Sequence, residues 1–253
     1  MTQIERLATW IRESRSTVFF GGAGVSTESG IPDFRSESGL YTAKHVYGYS
    51  PEELLSRSLF VSQPNLFFRY YRENLIARHA QPNAAHLTLA KLEQIGLLRA
   101  IITQNIDGLH QAAGSKEVLE LHGSNWRQYC VKCEARYSLD YILSPDVIRS
   151  DIPICKRCEG MVRPDVVLYE EGLDDAVVSA AIQVISEARL LLVGGTSLAV
   201  YPAAGLLRYF SGDHLALINN SETPYDNQAQ MVIRGSIGKV MSEVWGIISN
   251  KLS

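Results

Sequence analysis

The chain has 253 residues, enough for one large domain or two unequal ones. Its formal net charge of -3 excludes a globally basic nucleic-acid binder, and its composition is that of a globular protein. No apolar run approaches the roughly 20 residues of a membrane span, so the expectation is a cytoplasmic protein with no membrane contact.

The opening MTQIERLATWIRESRS carries charges through its apolar positions and reads as an amphipathic helix rather than a cleaved leader. Thr17-Val18-Phe19-Phe20 is short and β-prone, and GGAGVSTESG follows. Ser26, Thr27 and Ser29 are candidate N-caps, so strand, glycine turn and helix start are expected. Backbone N–H groups at such a start can meet a pyrophosphate. Gly22-Ala23-Gly24 begins like G-x-G-x-x-G, but Thr27 stands at the third glycine. No strand ending in an acidic residue follows about 20 positions on, which argues against hydride transfer.

Residues 38–80 are helix-like and rich in Tyr, Phe and Leu; NAAHLTLAKLEQIG is a helix closed by glycine; LLRAIITQN and EVLELHG are strands. The first of these strands ends in TQNIDGLH. There Asn105 and Asp107 can meet one carboxamide, or cap a helix. His122, between Leu121 and Gly123, suits a general base or a hydrogen-bonded structural role. RPDVVLYEE, the helix-like DDAVVSAAIQVISEA and the strand RLLLVGG come next. Gly194-Gly195-Thr196-Ser197-Leu198 suits a phosphate or ribose, or a capped turn. The helix-like PAAGLLRYF, the strand HLALINN and the helix GKVMSEVWGIISN complete the chain.

Cys130, Cys133, Cys155 and Cys158 form two C-x2-C pairs separated by 21 residues. In a reducing compartment this spacing reads as zinc rather than disulfides. Four thiolates leave no open coordination position, so the single ion is structural. Strands and helices alternate at both ends of the chain, which predicts an α/β protein with a Rossmann-like parallel sheet. The expected division is 1–37, 81–123 and 165–253 for that domain. A smaller domain then combines a helical module (38–80) with a zinc ribbon (124–164).

GAGVSTESGIPDFR, TQNIDGLH, LHG, the two C-x2-C pairs, VRPDVV, GTSLAVYPAA and Ile218-Asn219 occur in this order. The set resembles the sirtuin family of NAD-dependent protein lysine deacylases, bacterial-type, from about Phe20 to at least Asn220. The resemblance implies NAD in the cleft between two domains, cleaved at its glycosidic bond and not reduced. Ala23, Gly24 and Thr27 would lie along the phosphates and nearby ribose. Phe34 and Arg35 would belong to a loop over the cofactor, and Gln104 would contact the nicotinamide ribose. Ser26, Ile31, Asn105 and Asp107 would form the nicotinamide pocket. Ser197 and Asn219 would hold the adenosine half, with Ile106, Gly195, Thr196, Asn220 and Ile237 as further contacts. His122 would be the catalytic base, with Asn105 beside it in the catalytic set.

The implied partner is the acetylated lysine side chain of a protein or peptide, paired as an extended strand near Val166, Val167 and Val200. Acetyl passes to ADP-ribose and nicotinamide is released. Relatives that prefer succinyl or malonyl carry a Tyr and an Arg three apart in the helical part. Aligned on Arg72-Glu73, those positions hold Phe68 and Tyr71, which predicts an apolar acyl pocket. At Tyr169-Glu170-Glu171 many relatives have Phe-Gly-Glu, and the added acid suits either a preference for basic residues near the target lysine or, the favoured reading, a solvated surface charge. Two alternatives remain at this level. One is a mono-ADP-ribosyltransferase on the same fold. The other is a ribbon touching nucleic acid through Arg127, Lys132, Arg136, Lys156 and Arg157, against which the net charge speaks.

Overall fold

The first helix, α1 (Gln3–Ser14), is fixed by a capping box: Glu5 N donates to Thr2 Oγ1 (3.1 Å) and Thr2 N to Glu5 Oε2 (2.7 Å). Two amides that a helix start leaves open are thereby satisfied. Leu7, Ala8 and Ile11 form its buried stripe. A computed structural model describes residues 1–32 and 43–251. Phe34 and Arg35 lie outside the described residues.

The strands are β1 (Thr17–Gly21), β2 (Leu98–Thr103), β3 (Val118–Glu120), β4 (Gly123–Cys130), β5 (Arg136–Ser138), β6 (Ile148–Arg149), β7 (Ile152–Pro153), β8 (Val162–Val166), β9 (Leu190–Gly194), β10 (His214–Ile218) and β11 (Met231–Ile233). After α1 the helices are α2 (Pro51–Leu54), α3 (Arg57–Ser62), α4 (Pro64–Asn74), α5 (Ala84–Gln94), α6 (Leu109–Ala112), α7 (Leu139–Leu143), α8 (Asp175–Ser186) and α9 (Ile237–Ser249). A further helical turn spans 43–47.

Six strands form one parallel sheet in the order β11-β10-β9-β1-β2-β3. Every residue of β1 and β9 is buried, as both faces of a parallel sheet are covered. Alternation splits them: Phe19, Ile101, Leu190 and Leu192 pack with α1, α5 and α9. Val18, Phe20, Leu191 and Val193 pack with α8 and the segment Ala203–Tyr209. That last segment, expected as a helix, is a 3₁₀ run with Gly205 in its middle. The strand β11 has no counterpart among the sequence-based elements; three residues carry too short a pattern.

A second, antiparallel sheet has the order β5-β4-β8. Its apolar face shares a core with the helices before α5: Leu54, Phe67, Phe68 and Tyr71 pack with Cys130, Ile142, Cys155 and Val162. Helical part and cysteine ribbon are therefore one packed body. Main-chain bonds tie it to the segment after β8, where Tyr169 N donates to Leu55 O (3.0 Å) and Arg57 N to Tyr169 O (3.0 Å). Among the described residues no helix is long and apolar enough to cross a membrane.

Candidate active site

Strand order reverses between β1 and β9, and α/β proteins bind ligands beyond the carboxyl ends of strands at such a point. The loops after these strands touch: Gly24 N donates to Gly195 O (2.8 Å). Gly195 has φ +59, and a Cβ there would lie 2.3 Å from Val25 N, so only glycine permits the contact. The helix expected after β1 is replaced by two 3₁₀ turns, Ala23–Val25 and Thr27–Ser29, without a side-chain cap. Ser26 is spent otherwise: its Oγ donates to Asp107 Oδ2 (2.7 Å).

That bond begins a polar set drawn from two loops. Asn105 Nδ2 donates to Ser26 Oγ (3.0 Å). Asp107 Oδ1 accepts from Leu109 N (2.9 Å) at the start of α6, and its carbonyl accepts from Trp126 Nε1 (2.7 Å). The carboxylate of Asp107 thus serves both the local turn and the cleft. Gln104 Nε2 donates to Thr196 Oγ1 (3.0 Å), joining the β2 and β9 loops. Thr196 is held from behind by Asn219, whose Oδ1 accepts from Thr196 N (3.0 Å) and whose Nδ2 donates to Thr196 O (2.9 Å). His122 Nδ1 lies 2.8 Å from Gln104 O. A carbonyl can only accept, so Nδ1 carries the proton and Nε2 is the basic nitrogen of the neutral ring.

The cleft encloses about 290 Å³. Ala23, Gly24, Ser26, Ile31, Gln104, Asn105, Ile106, Asp107, His122, Val166, Val167, Gly195, Thr196, Ser197 and Val200 line it. Four other residues named from the sequence stand back from this lining. Thr27 is exposed and donates to Gly24 O (3.0 Å); Asn219 braces Thr196; Asn220 is exposed beyond β10; Ile237 is buried under Gly194. Tyr71, Leu75, Asn125 and Leu168 join the wall on the helical side. Of these, Asn125 and Leu75 had no sequence signal beyond a polar residue three positions after His122.

The Sir2 family model matches residues 22–202. The chain belongs to the Sir2 family. It is 56% identical to a protein of Clostridium acetobutylicum curated as "NAD-dependent protein deacetylase", over 96% of this chain and 98% of that one. Among solved structures, a Sir2 protein with a p53 peptide and NAD+ has a TM-score of 0.85 and 39% identity, each chain covered in full. A Sir2 protein bound to acetylated peptide gives 0.85 and 37%, again in full. The cofactor of this sirtuin is NAD, and its cleft lies at the switch point where α/β folds take dinucleotides.

The cysteines meet a stricter test. Their four Sγ atoms lie within 4.8 Å of one another, with Cys130–Cys158 at 3.5 Å and Cys133–Cys155 at 3.7 Å. A tetrahedron with zinc–sulfur bonds of about 2.3 Å has edges of about 3.8 Å. The two turns are alike: Glu134 and Glu159 both have φ +57, and Lys132 N and Arg157 N donate to Cys130 Sγ and Cys155 Sγ, each at 3.4 Å. The four cysteines of this sirtuin are positioned to bind one zinc ion. The ribbon's cations are partly spoken for, since Arg127 pairs with Glu120 (2.6 Å) and Asp165 (3.1 Å), and Arg136 with Asp165 (3.4 Å).

Glu170 is exposed, as expected of a surface charge, but it is not idle. Its Oε2 accepts from Ser58 N (2.9 Å) and Ser58 Oγ (2.6 Å), capping α3, and its φ of +75 explains why glycine suits that position elsewhere. Glu171 forms a bidentate, largely buried pair with Arg163 (2.7 and 3.0 Å).

Behind Asp107, the buried rings of His86 and His110 pack with centroids 4.7 Å apart. Neither nitrogen of His110, nor Nε2 of His86, has a hydrogen-bond partner among the described residues. Burial holds His110 down to about 3, helped by His86, and His86 down to about 4, partly opposed by Asp107. Both are neutral in the fold, while in the unfolded chain they protonate near the ordinary 6.5. No penalty exists above that pH; between 6.5 and about 4 only the unfolded chain takes up protons, and stability falls. The expected loss approaches about 2.7 kcal/mol per pH unit for the pair. Urea midpoints measured from pH 7 to 4.5 should fall less steeply in His110→Leu than in wild type; equal slopes would refute the assignment.

Proposed function

We propose that this chain is an NAD-dependent protein lysine deacetylase, moving acetyl from lysine to ADP-ribose with release of nicotinamide. The carrying observation is the convergence of Ser26, Asn105 and Asp107 with His122 in one cleft at the switch point. Bound NAD supplies the ADP-ribosyl acceptor and nicotinamide as leaving group. Ser26, Asn105 and Asp107 would orient the carboxamide of nicotinamide, with Ile31 as the apolar side. Ala23, Gly24 and Gly195 would allow close approach of backbone to phosphate. His122 Nε2 would accept a proton from a ribose hydroxyl, its tautomer held by Gln104 O. The curated relative's name supports deacetylation over ADP-ribosyl transfer.

The acetyl-lysine peptide would pair with main chain near Val166–Val167 and Val200. The sheet-bearing and the helix-plus-ribbon parts would act as two lobes around it, divided near residues 37, 81, 123 and 165. A cytoplasmic location agrees with four cysteines kept reduced for metal. An assay of nicotinamide release with and without acetylated peptide tests the function. Release that ignores the peptide, or ADP-ribose incorporated into protein without loss of acetyl, would refute it.

Charge selects the acyl group. Among the described residues no Lys or Arg lines the cleft. Arg72 is turned to Asp151 (O at 2.7 Å, Oδ1 at 3.1 Å), and Arg69 is exposed. A succinyl carboxylate would be desolvated without a cationic partner. Succinyl-lysine peptide should therefore be turned over at least about 10-fold more slowly than its acetyl counterpart, the cost of one unpaired charged group. Equal kcat/KM values would show that a cation reaches the site.

A further inference from the structure

The apolar wall between Leu75, Ile106, Val167 and Leu168 contains a polar pair that acetyl chemistry does not require. Tyr71 and Asn125 both line the cleft, and Tyr71 Oη donates to Asn125 Oδ1 at 2.7 Å. Asn125 Nδ2 donates to Leu75 O (2.7 Å), and its backbone N–H to Ile106 O (2.9 Å). Tyr71 is 1% and Asn125 4% exposed, so the pair is withdrawn from bulk water. A carboxamide has two N–H donors and two acceptor lone pairs. These bonds use one of each, leaving one donor and one acceptor in hand.

Gln128 lies behind the pair and is fully buried. Its Nε2 donates to Asn125 O (2.7 Å), and its Oε1 has no partner among the described residues. A buried acceptor without a donor is costly. An unsubstituted alkyl chain has nothing to offer these groups. A hydroxyl, donor and acceptor at once, matches what is left over.

We propose, on the footing of the deacetylase function above, that Tyr71 and Asn125 determine acyl specificity by favouring short acyl groups that carry a hydroxyl. The hydroxyl accepts from Asn125 Nδ2 and donates to the free lone pair of Asn125 Oδ1. It takes no part in bond making, and the acyl group is transferred as acetyl is. A carboxylate would meet a single amide N–H and no cation, too little to replace the water it gives up.

The test compares three peptides that differ only in the acyl group on lysine: acetyl, butyryl and 3-hydroxybutyryl. The reading is the ratio of kcat/KM for 3-hydroxybutyryl over butyryl within one protein, which cancels losses common to both. Wild type should give a ratio of about 5 to 10, the worth of one good neutral hydrogen bond. Asn125→Leu removes the amide. The double variant Tyr71→Phe/Asn125→Leu also removes the hydroxyl that would otherwise be orphaned, and a thermal melt checks the fold of each. Both should bring the ratio to about 1 or below. A wild-type ratio below 2, or a ratio that survives the double variant, overturns the proposal. Failure of wild type to consume the acetyl peptide with NAD would instead overturn the deacetylase function.

Discussion

Replacing His122 with alanine is expected to lower kcat for the acetyl-lysine peptide by about 10²- to 10⁴-fold, the usual worth of one positioned general base. The ring is oriented by a main-chain carbonyl: Gln104 O lies 2.8 Å from Nδ1 and leaves Nε2 basic. It stands at the mouth between β3 and β4, and its own carbonyl accepts from Val167 N (3.0 Å). Truncation keeps that main-chain bond, so the backbone at Val167, the proposed peptide edge, stays in place. KM for the peptide should therefore move by no more than a few-fold, and the loss should fall on kcat. Steady-state kinetics beside a thermal melt separates this from misfolding. A folded variant with kcat within fivefold of wild type would remove His122 from the base role.

Removal of the metal should have the other large effect. Structural zinc sites contribute on the order of 10 kcal/mol or more to the fold they close. Cys130 and Cys155 are part of the same core as Phe67, Phe68 and Tyr71, so loss of the ion is not confined to the ribbon. The wall that carries Tyr71 and Asn125 should loosen with it. Elemental analysis should find one zinc per chain. Chelation, or Cys155→Ser, should lower the melting temperature by more than about 10 °C and abolish turnover. Metal-free protein with unchanged melting and activity would show that the four thiols do not hold the fold.

Much of this was legible in the chain. Apolar runs such as Leu190–Val193 lie in strands buried on both faces, and two C-x2-C pairs meet within one small sphere. What escaped was long-range. Ser26 reads as a helix cap until Asp107, 81 positions away, claims its hydroxyl. Glu170 reads as surface and is exposed, yet its carboxylate also accepts from Ser58, 112 positions back. Asn125 resembles any polar residue of a half-exposed strand, because its partner Tyr71 is 54 positions distant. Local propensity cannot announce such pairs, since each member is satisfied only by tertiary contact.

Gln104 joins two jobs in one residue, and they are separable. Its carbonyl orients the imidazole of His122, while its side chain reaches Thr196 across the sheet. Every amino acid brings the same carbonyl. The protonation pattern of the His122 ring is therefore encoded in backbone, beyond the reach of replacement at position 104, whereas the grip on the opposite loop can be retuned there without disturbing it.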